Sequence, residues 1–175
     1  MQNKKNNSAK KNKCKKIKII LTDVDGVLTD GGRYYSEKGE ILKKFHVRDG
    51  MGVNLLLRNG IMTIIVTKEN SKITKKWANE MNITKIISGS LKKENELSKI
   101  CKEFAVSNAE VAYIGDDVND LALLEKVGFS ATPNDASNTI KKHVDYVCSK
   151  EGGKGAFREI SDLIIFAKFG SKNLY

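Results

Sequence analysis

Two aspartates, Asp23 and Asp25, stand one residue apart directly before Gly26. A carboxylate is a competent nucleophile toward phosphorus. A second one two positions along can give and then take a proton, provided a cation moderates the repulsion between them. The same Asp-x-Asp-Gly pattern also suits an Asp-rich turn, so the rest of the chain has to decide. Three more acids occur in Gly115-Asp116-Asp117-Val118-Asn119-Asp120, Thr67 closes an apolar run, and Lys93 follows Gly89. A hydroxyl and an ammonium are suitable partners for phosphate oxygens, and their value grows as charge develops during transfer. Three or more carboxylates converging on one crevice cannot all stay ionised without a hard cation among them. Mg²⁺, which takes oxygen ligands and keeps several waters, is the expected occupant.

Groups of this kind need strand ends to carry them. Residues 17–22 are β-branched and aliphatic and run straight into Asp23, which reads as a buried strand with a reactive end. Residues 33–46 read as a β-hairpin, and Asp49 as the cap of a helix reaching Arg58. Apolar strands are expected at 61–67, 83–87, 111–114, 129–131 and 144–147, with helices at 71–81, 91–104, up to 127, and 154–168. Strand alternating with helix predicts an α/β fold, a doubly wound parallel sheet whose ligands bind beyond the carboxyl ends of the strands. Asp23, Asp25, Thr67, Asp116 and Asp117 all fall there.

The chain has 175 residues and a formal charge of +10, but that charge is unevenly spread. Eight of the 31 basic residues lie in residues 1–18, which carry no acid, so the remainder holds 23 basic against 21 acidic residues. Residues 1–16 are rich in Lys and Asn, the composition of a disordered basic arm, and residues 17–175 are expected to form one domain. With the charge confined to the arm and no recognition motif beside it, nucleic acid is not the expected partner. No apolar run approaches the roughly 20 residues needed to cross a bilayer, and a cytoplasmic protein without a membrane partner is expected. Cys14, Cys101 and Cys148 are scattered without metal-site or disulfide spacing.

The motifs together resemble the haloacid dehalogenase superfamily. Asp23-Val24-Asp25-Gly26-Val27-Leu28-Thr29 is similar to its first motif, the Gly115 to Asp120 run to its metal-binding loop, and Thr67 and Lys93 take the positions between. That resemblance implies a Rossmann-like fold with Asp23 as the nucleophile of an aspartyl-phosphate and Asp25 as acid and base. It implies that Asp23, the backbone carbonyl of Asp25, and Asp116 hold Mg²⁺. Asp117 and Asp120 would support those ligands from outside, with Asp120 orienting Lys93.

Residues 30–36, 43–52 and 152–159 narrow the resemblance to the phosphatases of 3-deoxy-octulosonate 8-phosphate and their nonulosonate 9-phosphate relatives. About 40 residues separate Asp25 from Thr67, and the hairpin and helix use them, so no cap domain fits. The resemblance implies a homotetramer with hairpins, residues 33–46, at its centre and subunits covering each other's sites. Arg48, Glu69 and Lys154 would then meet the sugar at a shared entrance. Thr67-Lys68-Glu69-Asn70 departs from the Thr-Gly-Arg of the octulosonate enzymes, whereas Val47-Arg48-Asp49-Gly50 agrees with them, leaving a C8 and a C9 sugar acid both open. A catalytically idle domain, like those attached to some sialate cytidylyltransferases, is the alternative of a different class.

Overall fold

The computed structural model describes residues 2–170, with side chains described from Ser8 to Gly170. Residues 171–175 of the expected domain lie outside the described residues. In chain order the elements are α1 (Gln2–Lys16), β1 (Ile19–Thr22), β2 (Tyr34–Ser36), β3 (Gly39–Leu42), α2 (Val47–Arg58), β4 (Met62–Val66), α3 (Lys72–Glu80) and β5 (Lys85–Ile87). Then follow α4 (Glu94–Glu103), β6 (Val111–Ile114), the short α5 (Leu121–Leu124), β7 (Phe129–Thr132), α6 (Asn138–Lys141), β8 (Tyr146–Val147) and α7 (Ala156–Phe169).

Six strands form one parallel sheet in the order β5-β4-β1-β6-β7-β8, the doubly wound arrangement expected. Every residue of β1 is buried because both faces are covered. Ile20 packs with Ile65 and Ala112 under α2, α3 and α7, while Ile19 and Leu21 pack with Ile64, Val66, Val111 and Tyr113 under α4 and α5. Burying Ile19, Ile20 and Leu21 contributes about 1.5–3 kcal/mol each, so the strand that carries Asp23 is firmly held. Register then decides the site: Thr22 lies beside both Ile65 of β4 and Ile114 of β6. The next residues of all three strands emerge at one edge.

Between β1 and β4 there is only the hairpin β2–β3 and α2, and no cap domain. The hairpin pairs Tyr34 with Leu42 and Ser36 with Gly39, and a bridge between Thr29 and Phe45 closes its base. Two local expectations are corrected. The cap of α2 is His46, whose ring accepts from the Arg48 N–H at 3.2 Å. Asp49 instead lies buried in the first turn and accepts from the Arg158 N–H at 2.8 Å, capping α7, whose own cap residue Gly155 has no side chain to offer.

The second correction concerns residues 1–16, read from composition as a disordered arm: Gln2–Lys16 is helical. It docks on the body, chiefly against α7, through contacts that hydropathy does not reveal. Cys14 is buried in the core with Ile17, Lys13 pairs with Asp145 at 2.6 Å, and Lys10 and Lys11 lie over the rings of Tyr146 and Phe166. An ammonium over an aromatic face is attracted by the ring's negative face, so these are contacts of the charged heads. Among the described residues no helix is long and apolar enough to cross a membrane.

Candidate active site

Asp23 follows β1 and keeps the sheet register, its N–H donating to the Ile114 carbonyl at 3.0 Å. The residue is only 6% exposed. One oxygen accepts from the Val24 N–H at 2.8 Å, and the other meets the Lys93 ammonium at 2.7 Å. The chain then turns sharply, the Val24 carbonyl accepting from the N–H groups of Leu28 and Thr29 at 2.9 and 3.0 Å. Gly26 has φ +86°, and a Cβ there would overlap the Asp116 carboxylate, so only glycine lets the two Asp loops close together.

Lys93 is itself 1% exposed, just before α4. Its second acid is Asp120, at 2.7 Å and wholly buried. Both oxygens of Asp120 are engaged: Oδ1 takes Lys93 and the Tyr113 hydroxyl at 2.5 Å, and Oδ2 accepts from the N–H groups of Asp116 and Asp117 at 3.0 and 3.4 Å. Burial alone would lower the Lys93 pKa, but the charges of Asp23 and Asp120 outweigh it and raise it. Lys93 is therefore a fixed cation. Removing one partner from such a buried cluster costs about 3–5 kcal/mol.

Oxygens of Asp23, Asp116 and Asp120 lie within 4.8 Å of one another. Burial, then the neighbouring charges of Asp23 and Asp120, push Asp116 up to about 8, and burial raises Asp23 to about 6 against the pull of Lys93. One ammonium is too little charge for three carboxylates, and the oxygen-only donor set suits a hard divalent cation. Because the contacts of Asp120 use both its oxygens, Asp23 and Asp116 are the acids left to face such an ion, with Asp120 and Asp117 behind them. Asp117 accepts from the Val118 N–H at 2.8 Å and caps the turn after β6.

A cavity of about 300 Å³ opens over these groups and is lined by Asp23, Asp25, Thr67, Glu69, Asp116 and Asp117, among others. Thr67 is 2% exposed, and its hydroxyl accepts from the Glu69 N–H at 3.3 Å. Asp23, Asp25, Thr67, Asp116 and Asp117, expected at strand ends, thus come together, and Lys93 and Asp120 join them. Of the three residues expected at the sugar, only Glu69 shares this cavity. Arg48 and Lys154 line a separate groove of about 450 Å³ with Lys150 and Arg158, and Lys154 is paired there with Glu151.

Three side chains at the site escaped the reading of the sequence. Arg33, just before β2, reaches Glu69 at 3.2 Å and Asp25 at 3.5 Å. Lys43, just past β3, has no exposed side-chain surface and pairs with Asp25 and, at 3.1 Å, with Glu40. Tyr113 stands in β6 beneath Asp120, and burial raises its phenol well above the ordinary range, so it remains a donor. Arg33 and Tyr113 carry no local signal. Lys43 had one, its place between Leu42 and Phe45 in a strand-like run.

The haloacid dehalogenase-like hydrolase family profile matches residues 59–160. The 3-deoxy-D-manno-octulosonate 8-phosphate phosphatase of Haemophilus influenzae is 41% identical over 156 residues, covering 89% of this chain and 87% of that one. The structure of the cobalt-bound form of the Haemophilus influenzae enzyme superposes with a TM-score of 0.88 at 39% identity, over 93% of this chain and 98% of that one. The Moraxella catarrhalis phosphatase of the same name, in complex with magnesium, phosphate and KDO, gives a TM-score of 0.89 at 35% identity, over 93% and 92% of the two chains.

Proposed function

This chain belongs to the haloacid dehalogenase-like hydrolases, in the group of 3-deoxy-D-manno-octulosonate 8-phosphate phosphatases, and we propose that it hydrolyses that sugar phosphate through an aspartyl-phosphate. The products are the free sugar acid and phosphate. The observation that carries this reading is the Asp23 carboxylate, held by the Val24 N–H and Lys93 inside a buried acidic cluster that calls for a cation, with Asp25 next to it.

Asp23 attacks phosphorus while the bond from phosphorus to the sugar oxygen breaks, and Asp25 hands that oxygen its proton. Asp25, now a carboxylate, takes a proton from the water that attacks the aspartyl-phosphate, and Asp23 is released. The Thr67 hydroxyl and the Lys93 ammonium bind the transferring phosphoryl oxygens, and Asp120 with Tyr113 keeps Lys93 in place. Asp23, Asp116 and the backbone carbonyl of Asp25 would hold Mg²⁺, which when bound supplies the charge that lets two anions meet. Asp117 and Asp120 anchor the loop that carries Asp116.

Glu69 at the cavity, with Arg33 beside it, favours a polar sugar substituent there, and it is the one feature that speaks for a nonulosonate 9-phosphate. Relatives named for the octulosonate substrate favour the C8 acid. A Mg²⁺-dependent phosphate-release assay with both substrates decides: at least tenfold higher kcat/KM is expected for octulosonate 8-phosphate. The reverse order would move the assignment to the C9 acids. Activity on neither would return the idle-domain alternative.

The reading includes a homotetramer. Tyr34, Tyr35, Ile41 and Leu42 leave the hairpin's apolar side chains 52–59% exposed, which suits an interface. With no cap on the chain, the groove holding Arg48 and Lys154 would serve the sugar carboxylate of a neighbour's site. Light scattering at assay concentration should give four chains, and a monomer of full activity would remove this part of the reading. A cytoplasmic location fits the free thiols of Cys14, Cys101 and Cys148.

A further inference from the structure

The hairpin does more at this site than project from the sheet. Lys43 points inward from the segment leaving β3, its side chain wholly covered, while the adjacent Lys44 is 58% exposed and pairs with Asp30 at 2.6 Å. A lysine is rarely buried to this extent unless its charge is met on every side. Lys43 has two acids: Asp25 Oδ1 and Glu40 Oε1, the latter at 3.1 Å. The other oxygen of Glu40 accepts from the Ser71 hydroxyl at 2.7 Å, and Ser71 caps α3 just beyond Thr67. Burial opposes the charge on Glu40, but the bonds from Ser71 and Lys43 prevail and hold its pKa below the ordinary value. A continuous set of polar contacts therefore runs from Asp25 through Lys43 and Glu40 to the loop that presents Thr67.

We infer that Lys43 is a positioning residue for Asp25: it holds Oδ1 closely, whereas Oδ2 meets only the long 3.5 Å contact of the Arg33 guanidinium at the cavity and is the oxygen that exchanges protons with the sugar oxygen and then with water. This rests on the proposed phosphatase reading. Asp25 sits on a turn after β1 and is itself partly exposed, so its side chain has other rotamers open to it. A fixed ammonium selects one. The proton that moves is carried on Asp25, and Lys43 contributes position only. General acid catalysis contributes about 10²–10⁴ in rate and depends on heavy-atom distances of about 2.6–3.2 Å, so a loosened carboxyl loses much of it.

Leaving-group dependence separates this role from a merely structural one. A sugar alkoxide must be protonated as it departs, whereas the nitrophenolate of p-nitrophenyl phosphate leaves without help. In the full-length chain with saturating Mg²⁺, Lys43→Met should lower kcat/KM for the sugar phosphate about 30-fold. The aryl phosphate should lose less than about threefold in the same measurement, and Lys43→Arg should restore most of the sugar phosphate activity. Equal losses on the two substrates, or no loss on the sugar phosphate, would overturn the inference. If Lys43→Met does not fold, as judged by circular dichroism, Glu40→Gln takes its place: it loosens Lys43 from behind and should move the ratio of the two activities in the same direction. An unchanged ratio in that variant also overturns it. Failure of the underlying reading looks different, because the parent chain would then release phosphate from neither substrate.

Discussion

Mg²⁺ uptake at pH 7 should expel close to one proton from this protein, and the proton should come from Asp116. The carboxyl of Asp116 is ordinarily half-ionised near pH 3.8; burial, with Asp23 and Asp120 adding like charge, pushes it up to about 8. At pH 7 the metal-free site thus carries a proton on Asp116 in about nine molecules of ten, and at pH 9 in about one of ten. A carboxylate must lose its proton to become a ligand. Binding should therefore release about 0.9 proton per ion from Asp116 at pH 7 and about 0.1 at pH 9, and affinity should rise about tenfold per unit between pH 6 and 8 and level off above it. Calorimetric titration of MgCl₂ in phosphate-free buffers of different ionisation enthalpy reads the proton number directly as a slope. Stability follows the same sign. A folded pKa raised above the unfolded one contributes stability that is complete below pH 3.8 and is lost as pH rises through about 8. In EDTA the melting temperature should fall across that window, and excess Mg²⁺ should flatten the fall. A zero slope at pH 7, with affinity constant from pH 6 to 9, would refute the reasoning, and so would an Asp116→Asn variant that still releases the proton.

Asp23→Asn should abolish turnover and phospho-enzyme formation while leaving circular dichroism unchanged, since the amide retains the shape but is no nucleophile; turnover within tenfold of the parent would remove Asp23 from its role. Tyr113→Phe should cost about 1 kcal/mol in urea unfolding and roughly tenfold in kcat, because Asp120 loses a short bond and Lys93 with it some of its fixing; an unaltered kcat would confine Tyr113 to packing. Gly26→Ala should fold but bind Mg²⁺ at least tenfold more weakly, since its methyl group displaces the Asp116 carboxylate; calorimetry showing parental affinity would mean that the loop yields without consequence.

The aspartates and Thr67 were legible from sequence for one physical reason. A parallel sheet buried on both faces forces strands to read as apolar runs, and equal register at Thr22, Ile65 and Ile114 brings whatever follows those runs to one place. Nothing so regular governs the hairpin. Ile41 and Leu42 are more than half exposed while Lys43 is buried, the inverse of the usual rule, so the pattern of apolar residues does not point to the lysine that meets Asp25. Composition likewise misread Gln2–Lys16, where a buried cysteine and the ammonium groups of lysines make contacts. Arg48 and Lys154 were grouped with Glu69 on resemblance alone, and within one chain they line a different groove.

The loop at Gly152 and Gly153 has a consequence for the history of each molecule. The Gly153 N–H donates to the Val27 carbonyl at 3.0 Å, and the backbones there approach so closely that a Cβ on Gly152 would run into the Gly26 carbonyl. The turn bearing Asp25 is thus braced by a segment made 130 residues after Asp23. A ribosome adding about 5–20 residues per second needs on the order of ten seconds to cover that distance. Throughout that interval the nascent chain holds its nucleophile but lacks first Lys93, then Asp120, and last the brace. A polypeptide emerging from the ribosome therefore lacks the complete site until residue 153 has been translated.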